Sequence, residues 1–221
     1  MKSLGSIDLN GARLAVAPGI VLWPDALDAA AQKALVAEIF AGAETAPFMR
    51  PTMPMSGKPF SVEQTNFGPL GWVSDARGYR YQATHPLTGK AWPEIPGLLL
   101  SLWDACTDYG AAPDCCLANL YRGSAGMGLH QDKDEAAVDA PVLSLSLGDE
   151  ALFRIGGHTR RAPTRSLKLK SGTVLMFGGP ARMAFHGIDR IVPGRSALVP
   201  GGGRLNLTLR KVVKKDARPG G

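Results

Sequence analysis

At the centre of this 221-residue chain lies the stretch Asn119-Leu120-Tyr121-Arg122-Gly123-Ser124-Ala125-Gly126-Met127-Gly128-Leu129-His130-Gln131-Asp132-Lys133-Asp134. An apolar, β-prone segment runs into a glycine-rich turn, and the chain emerges carrying His130 and Asp132. If the chain is extended there, residues two apart project from the same face, so the imidazole and the carboxylate point together. These are two of the three ligands of a 2-His-1-carboxylate iron site. Because a lone H-x-D motif is weak evidence, the rest of the chain must supply a third ligand.

Composition bounds the class of protein. The 221 residues are 45% hydrophobic and 20% charged, which is typical of one globular domain. The net charge of +6 permits a polyanionic partner such as nucleic acid, although a merely basic protein carries the same charge. The three cysteines, with Cys115 and Cys116 adjacent, fit neither a disulfide framework nor a zinc site. They predict reduced core thiols in a cytoplasmic protein, and no apolar segment is long enough to predict a membrane span.

Two helices are predicted before residue 114. The first runs from Pro24 to Phe40 and ends at Gly42, and the second runs from Pro93 or Pro96 to about Tyr109, with Gly110 as its stop. The first segment carries apolar residues at helical spacing, namely Leu27, Ala31, Leu35 and Ile39. Between the helices, residues 45–93 are rich in Pro, Gly and aromatic residues and show little periodicity. A loop-rich stretch of this length is usually functional or mobile.

After residue 114 the pattern becomes β. Val142 to Leu147 alternates strictly between apolar and polar residues and is followed by a Gly148-Asp149 turn. Further short strands are predicted at Ala151 to Ile155, Leu167 to Lys170, Thr173 to Phe177, Ala184 to Ile188 and Leu205 to Val213. Many short antiparallel strands at this spacing indicate a sandwich or jelly roll. The basic segment from Lys211 to Gly221 is predicted to be a disordered tail.

The third ligand has one strong candidate. Of the remaining histidines, His85 precedes a proline in the loop-rich stretch and His158 lies beside two glycines, so both are predicted to be solvent-exposed loop residues. His186 follows a strand and a turn and lies 54 residues after Asp132, which is enough chain for several strands to bring it back. His130, Asp132 and His186 thus form a plausible facial triad with three open coordination positions.

The last predicted strand, Arg204 to Arg210, has two unlike faces. Its leucines share one face, and the other face carries Arg204, Asn206, Thr208 and Arg210. An edge strand with its polar face in water would show the same pattern. The regular leucine face favours burial instead, and buried guanidinium groups require anions. A small dicarboxylate suits this geometry, with Asn119 and Tyr121 as further polar contacts.

Taken together, these motifs resemble those of the AlkB family of Fe(II)- and 2-oxoglutarate-dependent dioxygenases. The resemblance covers roughly residues 65 to 212 and implies a mainly β (α+β) double-stranded β-helix, or jelly roll, supported by two N-terminal helices. By matching position it implies iron binding by His130, Asp132 and His186. It also implies binding of 2-oxoglutarate by Asn119, Tyr121, Arg204 and Asn206. Arg210 would be a catalytic residue that bridges the cosubstrate and the Asp132 region.

The resemblance also assigns a role to the aromatic stretch. Residues 45–93 would form a nucleotide-recognition lid in which Trp72 and Tyr79 stack on the target base, while Asp134 faces the cationic methylated base. The alternative is that Trp72 and Tyr79 pack a small satellite core. In one domain of 221 residues, 1–44 would be an N-terminal extension and helix, 94–212 a helix with the catalytic core, and 213–221 a basic tail.

The implied reaction is oxidative demethylation of N-alkylated bases in DNA, of the 1-methyladenine and 3-methylcytosine type. It consumes O2 and 2-oxoglutarate and releases formaldehyde, succinate and CO2. The expected partner is single-stranded DNA, with RNA as a further possibility, and the protein is expected to be a cytoplasmic monomer without a membrane association. Two alternatives remain: a 2-oxoglutarate oxygenase acting on RNA, protein or a small molecule, and a non-catalytic metal-binding jelly roll.

Overall fold

The computed structural model describes residues 6–9 and 11–214 of the chain. Over this part of the chain two α-helices are present, α1 (Ala29–Gly42) and α2 (Gly97–Cys106). The strands are β1 (Leu14–Ala17), β2 (Ile20–Trp23), β3 (Glu63–Phe67), β4 (Gly71–Asp75), β5 (Gly78–Gln82), β6 (Cys115–Tyr121), β7 (Met127–His130), β8 (Val142–Gly148), β9 (Glu150–Ile155), β10 (Arg165–Leu169), β11 (Val174–Phe177), β12 (His186–Val192) and β13 (Arg204–Arg210).

The strands form two packed sheets and one separate hairpin. The major sheet has the order β1-β2-β11-β8-β13-β6-β3, the minor sheet has the order β10-β9-β12-β7, and β4 pairs with β5. The strand pairs described are antiparallel, and a shared apolar cluster joins the two sheets through residues such as Tyr121 and Phe177 from one and Phe153 and Ile188 from the other. This arrangement confirms the predicted jelly roll.

The two faces of β13 contact different parts of the protein. Leu205, Leu207 and Leu209 belong to one buried cluster with Leu35 of α1 and Leu99 of α2. Side chains alternate between the faces of a strand, so the intervening polar residues point away from the helices. All seven residues of β13 are nevertheless buried. The polar face therefore lies in the interior of the molecule, and the alternative of a solvent-exposed edge strand is wrong.

Both helices are shorter than predicted. The first begins only after Asp28, whose carboxylate caps it by accepting from the Ala31 N–H at 2.7 Å, and residues 24–28 instead form a turn and a bridge from Leu27 to Ile7. The second ends at Cys106, where Thr107 turns the backbone to an extended conformation. Gly110, at a φ of 62°, lies beyond that end, so its prediction as the helix stop is wrong.

The stretch from residue 45 to 93 contains more regular structure than its composition predicts. It contributes β3, which pairs with β6 and extends the major sheet. It also contributes the β4–β5 hairpin, defined as residues 71–82. The hairpin begins at Gly71, where a Cβ atom would lie 2.4 Å from the ring of Trp92. Only glycine allows the chain to approach this indole so closely.

Strand bounds and the tail also differ from the predictions in part. The strand predicted at Ala184 to Ile188 begins at His186 and continues to Val192. Lys211 is not disordered as predicted, since its ammonium group pairs with Asp114 at 2.7 Å. The Val212 N–H also donates to the Asp114 carboxylate. Residues 215–221 of the predicted tail lie outside the described residues.

Two predictions from composition can be compared with the structure. Cys106, Cys115 and Cys116 are free and buried, as predicted. Burial raises the pKa of the Cys106 thiol to about 11 and that of Cys115 to about 12. Within residues 6–9 and 11–214, no helix is long and apolar enough to cross a membrane.

Candidate active site

Two of the predicted ligands meet because β7 and β12 are neighbours in the minor sheet. His130 ends β7 and His186 begins β12, and the two residues are direct partners in the antiparallel register. Their ring centroids are 4.4 Å apart. The register breaks just after His186, where a Cβ atom on Gly187 would lie 2.5 Å from the Met127 carbonyl oxygen. Glycine at this position therefore lets the two histidine-bearing strands approach each other.

Backbone carbonyls orient both imidazoles in the same way. Nδ1 of His130 lies 2.9 Å from the Gly128 carbonyl oxygen, and Nδ1 of His186 lies 3.0 Å from that of Ala184. Each Nδ1–H therefore donates to a carbonyl, which leaves the Nε2 lone pair free to bind a metal. Burial lowers the pKa of His186 to about 4, so its imidazole is neutral at pH 7.

Asp132 completes the cluster from the loop after β7. Its Oδ1 lies 3.7 Å from Nε2 of His130 and 3.8 Å from Nε2 of His186. Its Oδ2 is held by Arg210, whose Nε donates at 3.0 Å and whose Nη2 lies at 2.9 Å. Burial alone would raise the pKa of this carboxyl, but Arg210 and the imidazoles outweigh it and hold the pKa below its usual range. Asp132 is therefore an anion at pH 7.

The three side chains fit a divalent iron ion. Their ligand atoms all lie within 4.8 Å of one another, and they are the only such cluster of His, Cys, Asp and Glu found among the described residues. Two neutral nitrogens and one carboxylate oxygen form the donor set of open-sided Fe(II) sites in oxygenases. Such a site keeps positions free for a cosubstrate and O2.

The polar face of β13 offers a matching site for a carboxylate. Arg204 is 1% exposed, and its Nη2 donates to Ser146 at 3.0 Å. Within the described part of the chain, its Nε and Nη1 have no hydrogen-bond partner. A buried guanidinium with two free donors is costly unless an anion accepts from it. The carboxylate of 2-oxoglutarate fits this need, and a non-catalytic jelly roll would leave it unmet.

Three further residues predicted to bind the cosubstrate lie around Arg204. The Tyr121 ring lies under the Arg204 guanidinium, with 5.2 Å between the guanidinium carbon and the ring centroid. Asn119 accepts from the Gln64 amide at 2.7 Å, and Asn206 donates to the Ser144 hydroxyl at 2.7 Å. The neighbouring side chains thus hold both amides in place.

The β4–β5 hairpin carries the predicted substrate-binding aromatics. Trp72 and Tyr79 stack with their ring centroids 5.5 Å apart and their planes at 17°. The Trp72 indole N–H donates to the Asp134 carboxylate at 2.8 Å. On the opposite face of the hairpin, Val73 packs against Ala46 and Trp92. This second cluster is a small satellite core, and Trp72 and Tyr79 lie on the other side of the hairpin from it.

A single cavity of about 590 Å³ brings all these groups together. It is lined by every residue that was assigned to the site from the sequence, namely Trp72, Tyr79, Asn119, Tyr121, His130, Asp132, Asp134, His186, Arg204, Asn206 and Arg210. The metal-ligand cluster comes from the minor sheet and the loop after it, while the guanidinium and amide groups come from the major sheet. The cavity therefore lies between the two sheets, with the hairpin on its wall.

The structure corrects one histidine assignment. His158 is exposed, as predicted, but His85 is completely buried. Its Nε2–H donates to the Pro47 carbonyl at 2.9 Å, and its Nδ1 accepts from the backbone N–H of Leu87 and Thr88. His85 thus ties its loop to the segment around Pro47, because its ring nitrogens pair with backbone groups that would otherwise lack a partner.

Sequence reasoning missed two buried charged residues behind the site, Glu135 and Arg182. They form an ion pair at 3.1 Å, and Arg182 also donates to the backbone carbonyl of Asp132 at 2.6 Å. Glu135 directly follows the H-x-D-x-D motif, where it looks like part of a solvated acidic turn. Arg182 lies in the turn before His186, and no periodicity marks it as buried.

Comparison with known proteins agrees with this geometry. A family model described as "2OG-Fe(II) oxygenase superfamily" matches residues 19–210. The chain is 60% identical over 198 residues to an alpha-ketoglutarate-dependent dioxygenase AlkB homolog of Caulobacter vibrioides, with 90% of each chain covered. It is 39% identical over 204 residues to the alpha-ketoglutarate-dependent dioxygenase AlkB of Escherichia coli, covering 90% of this chain and 93% of that one.

A solved structure supports the same relationship at the level of the fold. The structure of OsALKBH1 superposes with a TM-score of 0.78 at 30% identity, covering 90% of this chain and all of that one. The predicted dependence on Fe(II), 2-oxoglutarate and O2 is thereby confirmed at the level of the family. The chain belongs to the AlkB family of Fe(II)- and 2-oxoglutarate-dependent dioxygenases.

Proposed function

We propose that this dioxygenase removes methyl groups from N-alkylated bases of nucleic acid, with 1-methyladenine and 3-methylcytosine in single-stranded DNA as its main substrates. The observation that carries the proposal is the stacked pair Trp72 and Tyr79, joined to Asp134 on the wall of the cavity that holds the metal-ligand cluster. Aromatic rings accept the flat face of any base, and a nearby carboxylate favours a base that methylation has made cationic.

Each part of the cavity has a separate task in this reaction. His130, Asp132 and His186 would hold the iron, and Arg204 with its polar neighbours would bind 2-oxoglutarate. When bound, the iron and 2-oxoglutarate supply with O2 the oxidation that hydroxylates the N-methyl carbon, after which formaldehyde leaves. The protein's own contribution is to bind, orient and shield the reactants.

The substrate-binding side follows from the position of the hairpin. A base inside a duplex cannot reach a cavity between two sheets, so it must leave the stack before it reacts. In a single strand the base leaves the stack without breaking a base pair, which is why single-stranded DNA is the expected substrate. Trp72 and Tyr79 would replace the stacking that the base loses, and Asp134 would face its positive charge. In this proposal the recognition function of residues 45–93 lies mainly in the hairpin.

Formaldehyde release from a panel of oligonucleotides tests the proposal. The panel contains 1-methyladenine or 3-methylcytosine in single-stranded DNA, duplex DNA and RNA, together with an unmethylated control. We expect one formaldehyde for each succinate formed above the uncoupled rate, and we expect both to form fastest with methylated single-stranded DNA. If methylated RNA alone reacts, the substrate class changes to RNA. If no methylated oligonucleotide raises succinate formation above the uncoupled rate, demethylation of nucleic acid is wrong.

A further inference from the structure

Four charged side chains are buried together behind the metal-ligand cluster. Asp132, Glu135, Arg182 and Arg210 are between 3% and 7% exposed. Two carboxylates and two guanidinium groups balance in charge, so the cluster is neutral as a whole. Buried charges of this kind are tolerated only when every group has partners. The way in which the partners are shared therefore determines how each carboxylate is oriented.

The two oxygens of Asp132 face different partners. Oδ1 points toward the two imidazoles, and Oδ2 accepts from Arg210. Arg182 fixes the main chain of the same residue, since its Nη1 donates to the Asp132 carbonyl at 2.6 Å. As a result, Oδ1 stays available for a metal, while the contacts with Arg210 and Arg182 hold the residue in place.

Glu135 connects the two arginines with the β4–β5 hairpin. Its Oε2 lies 3.1 Å from Nη2 of Arg182, and its Oε1 lies 3.6 Å from Nε of Arg210. The same Oε1 accepts a short hydrogen bond from the Tyr81 hydroxyl. Nη1 of Arg210 in turn lies 3.4 Å from that hydroxyl. Tyr81 belongs to β5, where it is the cross-strand partner of Trp72.

We propose that Glu135 and Tyr81 are positioning residues for the iron ligand Asp132, acting through Arg210 and Arg182. Glu135 pairs with both guanidinium groups and balances part of their positive charge. Arg210 therefore holds only Oδ2 of Asp132 and leaves Oδ1 free. Without Glu135, Asp132 becomes the only anion for two arginines. It is then drawn toward Arg210 and becomes a weaker metal ligand. Tyr81 fixes the rotation of the Glu135 carboxylate and connects this cluster to the strand pair that carries Trp72.

The competing explanation is that these contacts stabilise the fold and nothing more. A purely structural role predicts a lower melting temperature with no change in metal affinity. A positioning role predicts weaker metal binding in a protein that is still folded, because groups behind a metal ligand usually affect metal affinity or activity by about 10–100-fold. Metal affinity measured without oligonucleotide separates the two explanations.

The test compares two tyrosine variants that lose the same kind of bond. Tyr81→Phe removes the hydroxyl that donates to Glu135, and the control Tyr109→Phe removes a hydroxyl that donates to Asp139 at 3.0 Å, outside the cavity. Mn(II) serves as an air-stable probe, and its dissociation constant is measured by titration followed by electron paramagnetic resonance. We expect roughly tenfold weaker Mn(II) binding for Tyr81→Phe. The control should bind Mn(II) like the unmodified protein.

Glu135→Gln provides the stronger version of the test. It keeps the shape of the side chain but removes the charge, so we expect about 10–100-fold weaker Mn(II) binding. At saturating metal, the apparent KM for 2-oxoglutarate should change less than the Mn(II) dissociation constant does, since Arg204 lies outside the charged cluster. If Tyr81→Phe binds Mn(II) as tightly as Tyr109→Phe does, the positioning role is wrong, whether or not Glu135→Gln folds. Mn(II) binding requires no nucleic acid, so failure of the demethylation proposal would leave this result unaffected.

Discussion

The polar face of β13 and the aromatic face of the β4–β5 hairpin line the same cavity, yet they differ sharply in burial. Arg204 is 1% exposed and Arg210 is 7% exposed, whereas Tyr79 is 51% exposed. A buried guanidinium tolerates only a fixed set of partners, because each unmet donor costs free energy. An exposed ring gains contacts only when something covers it.

We infer from this difference that the two regions have separate tasks. The floor of the cavity, formed by the polar face of β13, can accept one small anion of defined shape. This suits a cosubstrate that is the same in every reaction. The hairpin can accept many flat, partly cationic groups, which suits a variable substrate. If the division is correct, changes on the floor should affect the metal or the cosubstrate, and changes to the stacked rings of Trp72 and Tyr79 should affect only the use of oligonucleotide.

The largest effect is expected at the metal ligands. His130→Ala or His186→Ala leaves two protein ligands, which are too few to hold an open site. We expect Mn(II) binding and 2-oxoglutarate turnover to fall below detection at ordinary metal concentrations. His158→Ala is the control, because that imidazole is exposed and its Nε2 contacts the Pro180 carbonyl instead. Measurable turnover in either ligand variant would contradict the assignment.

A smaller and more selective effect is expected for Arg204→Ala. Losing one side of a buried guanidinium–carboxylate pair usually costs about 2–5 kcal/mol, so the apparent KM for 2-oxoglutarate should rise steeply. The KM for oligonucleotide should change little. Arg154→Ala is a matched control, since Arg154 pairs with a different partner, Asp189, at 3.1 Å. A loss of oligonucleotide affinity instead would place Arg204 on a phosphate-binding surface.

On the hairpin, Trp72→Ala or Tyr79→Ala should weaken oligonucleotide use by roughly 1–3 kcal/mol per stacked base. Uncoupled turnover of 2-oxoglutarate and the melting temperature should change little, because neither ring fills the main core. Trp92→Ala provides the contrast, since Trp92 is 6% exposed in the satellite core. Its loss should cost about 3–5 kcal/mol of folding stability. Melting temperature and stimulated activity are measured together, and a large stability loss in Trp72→Ala would contradict the division.

The smallest effect is expected for Asp134→Asn. The amide oxygen can still accept from the Trp72 indole, but the negative charge is gone. Because the carboxylate is exposed, we expect the preference for cationic 1-methyladenine over neutral N6-methyladenine to fall by roughly 0.2–1 kcal/mol. The ratio of kcat/KM for the two oligonucleotides measures this preference. An unchanged ratio would mean that Asp134 orients Trp72 without sensing charge.

Much of the cavity floor could be predicted because the sequence pattern that identifies its residues is local. In β13 the alternation of leucine and polar residues determines which side chains share a face, since a strand has a period of two. The H-x-D spacing also predicted that His130 and Asp132 lie together, although in the structure Asp132 lies in the loop after β7 and not in the strand. Helix ends and the strands within residues 45–93 were harder to predict. The start of α1 had a local signal in the capping residue Asp28, which the prediction did not use, whereas the pairing of β3 with β6 depends on tertiary structure.

The sequence by itself therefore determined the residue types and their faces: two imidazoles, a carboxylate, two guanidinium groups and a set of aromatic rings. Only the tertiary structure decided which of them meet. The register of β7 and β12 sets His130 beside His186, and the convergence of β5 with two turns brings Tyr81, Glu135 and Arg182 together. The physical reason is that periodicity specifies direction within one strand, whereas pairing between distant strands depends on how the whole core packs.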